Sequence, residues 1–185
     1  MAEYYLISQL PCLDAIGENM PAPITEERFS ELCSRFLGKK TLKELNNLAL
    51  VPQINCEKSS SALVEAWNEG ERNLRLALGK VRAEKMKKPF DIGNRCLPIG
   101  LVKVASTAVE IENPLEAEKF LDGYRMEFLE TLRPMDQFSE EFVFYYGLKL
   151  KLILRTRQFD AAVGEAAYRY FYDSALNSRR LEDIL

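Results

Sequence analysis

One proline-free stretch, Ser61 to Lys87, limits this chain more than any other feature, because its apolar and small residues return at helical intervals. Leu63, Trp67, Gly70, Leu74, Leu78 and Val81 follow one another at steps of 4, 3, 4, 4 and 3 residues. Steps of three and four keep side chains on one face of an α-helix, whereas a half-buried strand alternates. The spacing predicts one helix over 61–87, about 40 Å long at 1.5 Å per residue. Such a stripe needs other helices along its length to cover it. Gly70 and Gly79 each cost the helix about 1 kcal/mol relative to alanine. They are expected to mark the close approach of another helix.

The remaining segments supply those helices. Thr25 stands as an N-cap before Glu26 and Glu27, with Phe29, Leu32, Cys33 and Phe36 on one face and Gly38 at the end. Thr41 and Glu44 have capping-box spacing, which predicts a helix start at Thr41 with Leu42, Leu45, Leu48 and Ala49 inward. Asn113-Pro114-Leu115-Glu116 reads as a helix start with Leu121, Tyr124, Phe128 and Leu132 inward. Ser139 opens a helix that is apolar on much of its circumference. Asp160 begins a last one, with Tyr168, Phe171, Tyr172, Ala175 and Leu176 on its buried side.

Two stretches are ambiguous. "YYLISQLPCL" suits a short strand or a buried helical turn, and "LVKVASTAVEI" mixes strand-favouring Val and Ile with helix-favouring Ala. "KPFDIGNRCLPIG" carries two Pro and two Gly and reads as an irregular crossover. The expected class is all-α, a multi-helix bundle of two small lobes. The lobes are 1–88 and 113–185 with 89–112 crossing between them, or they form one continuous domain.

Several function classes lose ground on composition. The chain has no histidine, which removes the commonest general base, the commonest metal ligand and every Ser-His or Cys-His pair. No phosphate-binding glycine loop is present, and the serines of "SSSALVE" are expected to cap a helix. Glu140 and Glu141 are adjacent, so they diverge on a helix and suit its first turn. Cys12, Cys33, Cys56 and Cys96 lack metal-site spacing and read as buried or idle thiols of a reducing cytoplasm. No catalytic residue, cofactor site or metal site is expected. The start of the chain has no basic region before its apolar run and does not read as a secretory signal. No apolar run approaches the roughly 18 residues of a membrane span.

Charge is distributed unevenly. The chain has a net charge of -3, yet "WNEGERNLRLALGKVRAEKMKK" holds seven Lys or Arg against three Glu. Arg72, Arg75, Arg82 and Lys85 flank the apolar stripe. Their charges can simply extend into water, or they can grip carboxylates of another helix or a partner chain. These four are the candidate partner-binding residues.

Within that helix, "EGERNLRLALGKVRAEKM" resembles a helix of the C/d-subunit family of V-type (archaeal/vacuolar-type) ATPases, whose eukaryotic members carry the letter d. Glu71, Asn73, Leu74, Arg75 and Arg82 are the matching positions. "EYYLISQLPCL" resembles the opening, and "EEFVFYYGLKLKLILRTRQFDAAVGEAAYRYF" the closing helices, of short bacterial proteins of this kind encoded among V-type ATPase subunits. The resemblance implies a non-catalytic coupling protein, cytoplasmic and peripheral on the inner face of the membrane. Its partners would be the central-stalk subunits and the proteolipid ring, with no membrane span and no nucleic acid of its own. It would carry torque between ATP chemistry and ion transport. The residues alone leave three other readings open: a cytoplasmic adaptor binding an acidic helix along Arg72–Lys88, a small helical enzyme using Glu and Tyr, and a nucleic-acid binder.

Overall fold

The computed structural model describes residues 2–14, 22–52, 59–93, 95–158, 169 and 172. They form α1 (Ala2–Gln9), α2 (Glu26–Phe36), α3 (Lys39–Asn46), α4 (Ala62–Lys85), α5 (Ile99–Glu110), α6 (Pro114–Thr131) and α7 (Glu140–Gln158). No strand occurs among the described residues, and the architecture is an all-α multi-helix bundle. No helix among them is long and apolar enough to cross a membrane.

The long helix begins at the serine cap. Ser61 Oγ accepts from the Val64 amide at 3.1 Å, and Glu141 at the head of α7 accepts from Ser61 Oγ and from the Leu63 amide. Glu141 therefore does more than suit its own helix dipole. Its carboxylate takes up a free amide of α4's first turn and ties two helix starts together. At the far end the Lys88 amide returns to the Ala83 carbonyl and Lys87 adopts φ 54°. A lysine thus holds the left-handed position that glycine takes most readily.

Two hydrophobic clusters lie along α4. The first joins Leu63, Val64 and Trp67 to α1, α2, α3, the end of α6 and most of α7. The second joins Leu74, Ala77 and Leu78 to Leu101, Ala105 and Ala108 of α5 and Leu121 of α6. Both clusters cross the expected division at 88 and 113, because α4 and α6 each contribute to both. At Gly70 the close neighbour is a side chain of α6: a Cβ there would fall 2.3 Å from Cε1 of Phe128. At Gly79 the close neighbour is the ring of Phe90 in the returning segment, not another helix.

Other differences from the sequence reading have local causes. The 89–112 segment is not wholly irregular, since "LVKVASTAVEI" folds into α5 and buries one helical face against α4. Burial overrides the strand preference of its valines. Helix α3 starts at Lys39 with Gly38 as its N-cap, so Thr41 and Glu44 form no capping box. Thr41 instead donates to Glu140, and Glu44 accepts from Ser59 and Ser60. "YYLISQ" is helical, with Leu6 fully buried. The expected last helix from Asp160 lies largely outside the described residues. Of its expected buried side, Tyr172 is described and is 54% exposed.

Candidate functional site

The four basic residues singled out on α4 meet different fates. Arg75, though largely exposed, bonds through Nε to Glu71 Oε1 at 2.9 Å, one turn earlier on its own helix. Lys85 donates to the Val109 carbonyl at 3.2 Å near the end of α5. Arg72 is half-buried and Arg82 exposed, and neither forms an ion pair among the described residues. The sector is therefore split. Arg75 and Lys85 brace the fold, and Arg72 and Arg82 leave their charges available to solvent or a partner.

The strongest electrostatic feature lies beneath this sector. Glu71 is 3% exposed and is held from α6 by Arg125, whose Nε meets Oε2 at 3.0 Å and Nη2 meets Oε1 at 3.2 Å. Arg125 also donates through Nη1 to Asp122 Oδ1 at 2.7 Å. From α7, Arg155 places Nε 3.3 Å from Asp122 Oδ2 and donates through Nη2 to Glu118 at 2.8 Å. Three guanidiniums (Arg75, Arg125, Arg155) thus meet three carboxylates (Glu71, Glu118, Asp122), and the lattice joins α4, α6 and α7. Burial works against the Arg125 charge. Hydrogen bonds and attraction from Glu71 and Asp122 outweigh it and raise its pKa above the ordinary value.

Among the described residues no α4 arginine grips a carboxylate of another helix; the pair that joins two helices has α4 supplying the buried carboxylate and α6 the arginine. Bidentate pairing of a planar guanidinium with a carboxylate fixes direction as well as distance. Among the residues that carry the family resemblance, Glu71, Leu74 and Arg75 build this junction, with Leu74 at 1% exposure. Glu71 and Arg125 did leave a sequence signal. Glu71 stands four residues after Trp67 and three before Leu74, and Arg125 four after Leu121 and three before Phe128. Opposite charges set into two apolar stripes are what a buried interhelical pair looks like in sequence.

A second ionic knot ties down the start of the chain. Lys149 of α7, 6% exposed, donates to Asp14, Glu130 and the Tyr145 hydroxyl, and Arg133 lies 3.5 Å from Asp14. Tyr146 adds a bond to the Pro11 carbonyl at 2.9 Å. The hydrogen bond from Lys149 holds the Asp14 carboxyl below its usual value. Burial alone would raise Glu130, but bonds from Lys149 and Tyr145 prevail and lower it. Nearby, Tyr4 and Tyr5 of the stretch that resembles the bacterial family are 54% and 58% exposed, and Tyr4 stacks on Phe138 at 4.9 Å.

Of the cysteines, Cys33 is buried, and burial pushes its thiol up to about 12. Cys12 and Cys96 are exposed, and Cys56 lies outside the described residues. No group of three acidic or cysteine side chains among the described residues is placed to hold a metal ion. Comparison with protein-family models, with curated proteins and with solved structures finds no match to this chain.

Proposed function

We propose that this chain is a non-catalytic coupling protein of a V-type ATPase or ATP synthase, linking the central stalk to the membrane proteolipid ring. The observation that carries the reading is the ionic lattice through Glu71, Arg125, Asp122 and Arg155, built partly from the residues that resemble the C/d-family helix. A component between two rotor parts must transmit load without yielding. Close-packed helices have low compressibility, and the bidentate pairing of Arg125 with Glu71 fixes direction as well as distance. Midway along α4, a rod of about 36 Å by its residue count, the lattice resists sliding and twisting of α4 against α6 and α7. Arg72 and Arg82 remain outside it, where they can meet acidic surface on the stalk or the ring. Cytoplasmic placement on the inner membrane face follows from this assembly and belongs to the same proposal.

The test is an affinity pull-down of the full chain from gently solubilised membranes of the native host, with bound proteins identified by mass spectrometry. Stalk and ring proteins should be recovered in fixed ratio. Recovery of soluble proteins alone overturns the rotary reading. It would favour a second one, a helical adaptor for an acidic partner, for which the free charges of Arg72 and Arg82 speak.

A further inference from the structure

Helix α5 has one buried apolar side and an outer, mostly polar side on which two apolar residues stand. One side, Leu101, Ala105 and Ala108, is buried in the second cluster. On the other, Ile99 is 79% exposed and stands with Val102 along an open groove of about 540 Å³. Lys80 of α4 and Lys103 of α5 line the groove, and Glu110 lies at the end of the same helix. Lys103 forms no ion pair among the described residues, and Lys80 reaches only Glu84, at 3.9 Å.

We propose that this groove is a docking site for an amphipathic helix of a partner protein, with carboxylates facing Lys80 and Lys103. The groove follows the twelve residues of α5, about three turns, and so matches a helix better than an enclosed small molecule. Ile99 and Val102 offer the apolar contact. Ser106 and Thr107 are small enough to let a second helix come within the usual 8–10 Å or so. The two lysines set register by pairing with acids, and Glu110 suits a base on the partner. That carboxylate also argues against a phosphate backbone or an anionic lipid surface, both of which would repel it. The groove is identified by its own chemistry and does not depend on the rotary assembly, so either reading can fail alone.

A photoactivatable residue at Ser106 of the full chain, irradiated in the native host, tests the site when the crosslinked peptide is sequenced by mass spectrometry. The expected adduct is a peptide of one partner with apolar residues at helical spacing and carboxylates along one flank. Its yield should fall about tenfold in Lys80→Glu/Lys103→Glu and return when the partner's carboxylates are replaced by lysine. Lys80 gives up only its 3.9 Å contact with the exposed Glu84, so the melting temperature of that variant should fall only slightly. Ile99→Ser, which removes only exposed apolar contact, should lower the yield independently. Adducts with lipid, nucleic acid or a second copy of this chain overturn the proposal. So does the absence of an adduct, or a yield indifferent to the charge reversal.

Discussion

Glu71 is placed where an apolar residue would complete the stripe between Trp67 and Leu74, and it is nearly inaccessible to solvent. Removing a carboxylate from water is costly, and its neighbours offset that cost only together. Arg125 supplies two hydrogen bonds and Arg75 a third. Replacing Arg125 with methionine keeps volume but leaves Glu71 and Asp122 without their shared cation. The Arg125→Met chain should lose about 3–5 kcal/mol of stability in urea unfolding, the usual cost of breaking a buried pair. Adding Glu71→Leu removes the stranded charge and should recover a good part of the loss, since an apolar pair of similar volume is often as stable. A double variant no better than the single one would mean that Glu71 is not the group Arg125 neutralises.

At the scale of elements, helix starts were legible wherever a side chain does the capping. Ser61 and Asn113 both accept from the first-turn amides of their helices, as their types and positions imply. The reading failed where another element competes for the same side chain. Thr41 and Glu44 have capping-box spacing, but Glu140 takes the hydroxyl of one and Ser59 and Ser60 take the carboxylate of the other, so the start moves back to Gly38. Helix α5 could not be distinguished from a strand, because only its partner surface on α4 selects the helical face that is buried. The connection after α1 depends equally on distant groups, with Asp14 held by Lys149 and Arg133 across the fold. Asp14 has a lower pKa folded than unfolded, with the hydrogen bond from Lys149 as the main cause. The bond therefore contributes stability above the ordinary carboxylate pKa, about 4, and the contribution is lost as pH falls through the folded value. Below about pH 4 the wild-type chain should lose stability more steeply than Asp14→Asn in denaturant titrations. Parallel curves would show that the carboxylate is not clamped in solution.

For the whole molecule, the question is whether the two hydrophobic clusters unfold together. Fully exposed connectors would let each open alone, but here no connector separates them. Helix α4 supplies Leu63 and Trp67 to one cluster and Leu74 and Leu78 to the other, with Glu71 pinned to α6 between them. Fraying α4 from its second half would have to extract Glu71 from Arg125 before it reached Trp67. The chain contains a single tryptophan, Trp67, so fluorescence reports the first cluster alone while circular dichroism reports all helices. Leu74→Ala damages only the second cluster and should cost about 2–5 kcal/mol. At this chain length that shifts the melting midpoint by roughly 2–4 °C per kcal/mol. If the lattice couples the clusters, the fluorescence midpoint of Leu74→Ala moves by the same amount as the circular-dichroism midpoint, although Trp67 is not in the damaged cluster. A fluorescence transition that stays in place while part of the helical signal melts early would mean two independent lobes. A chain that yields at its middle in this way would be a poor transmitter of torque, so the same measurement bears directly on the coupling role.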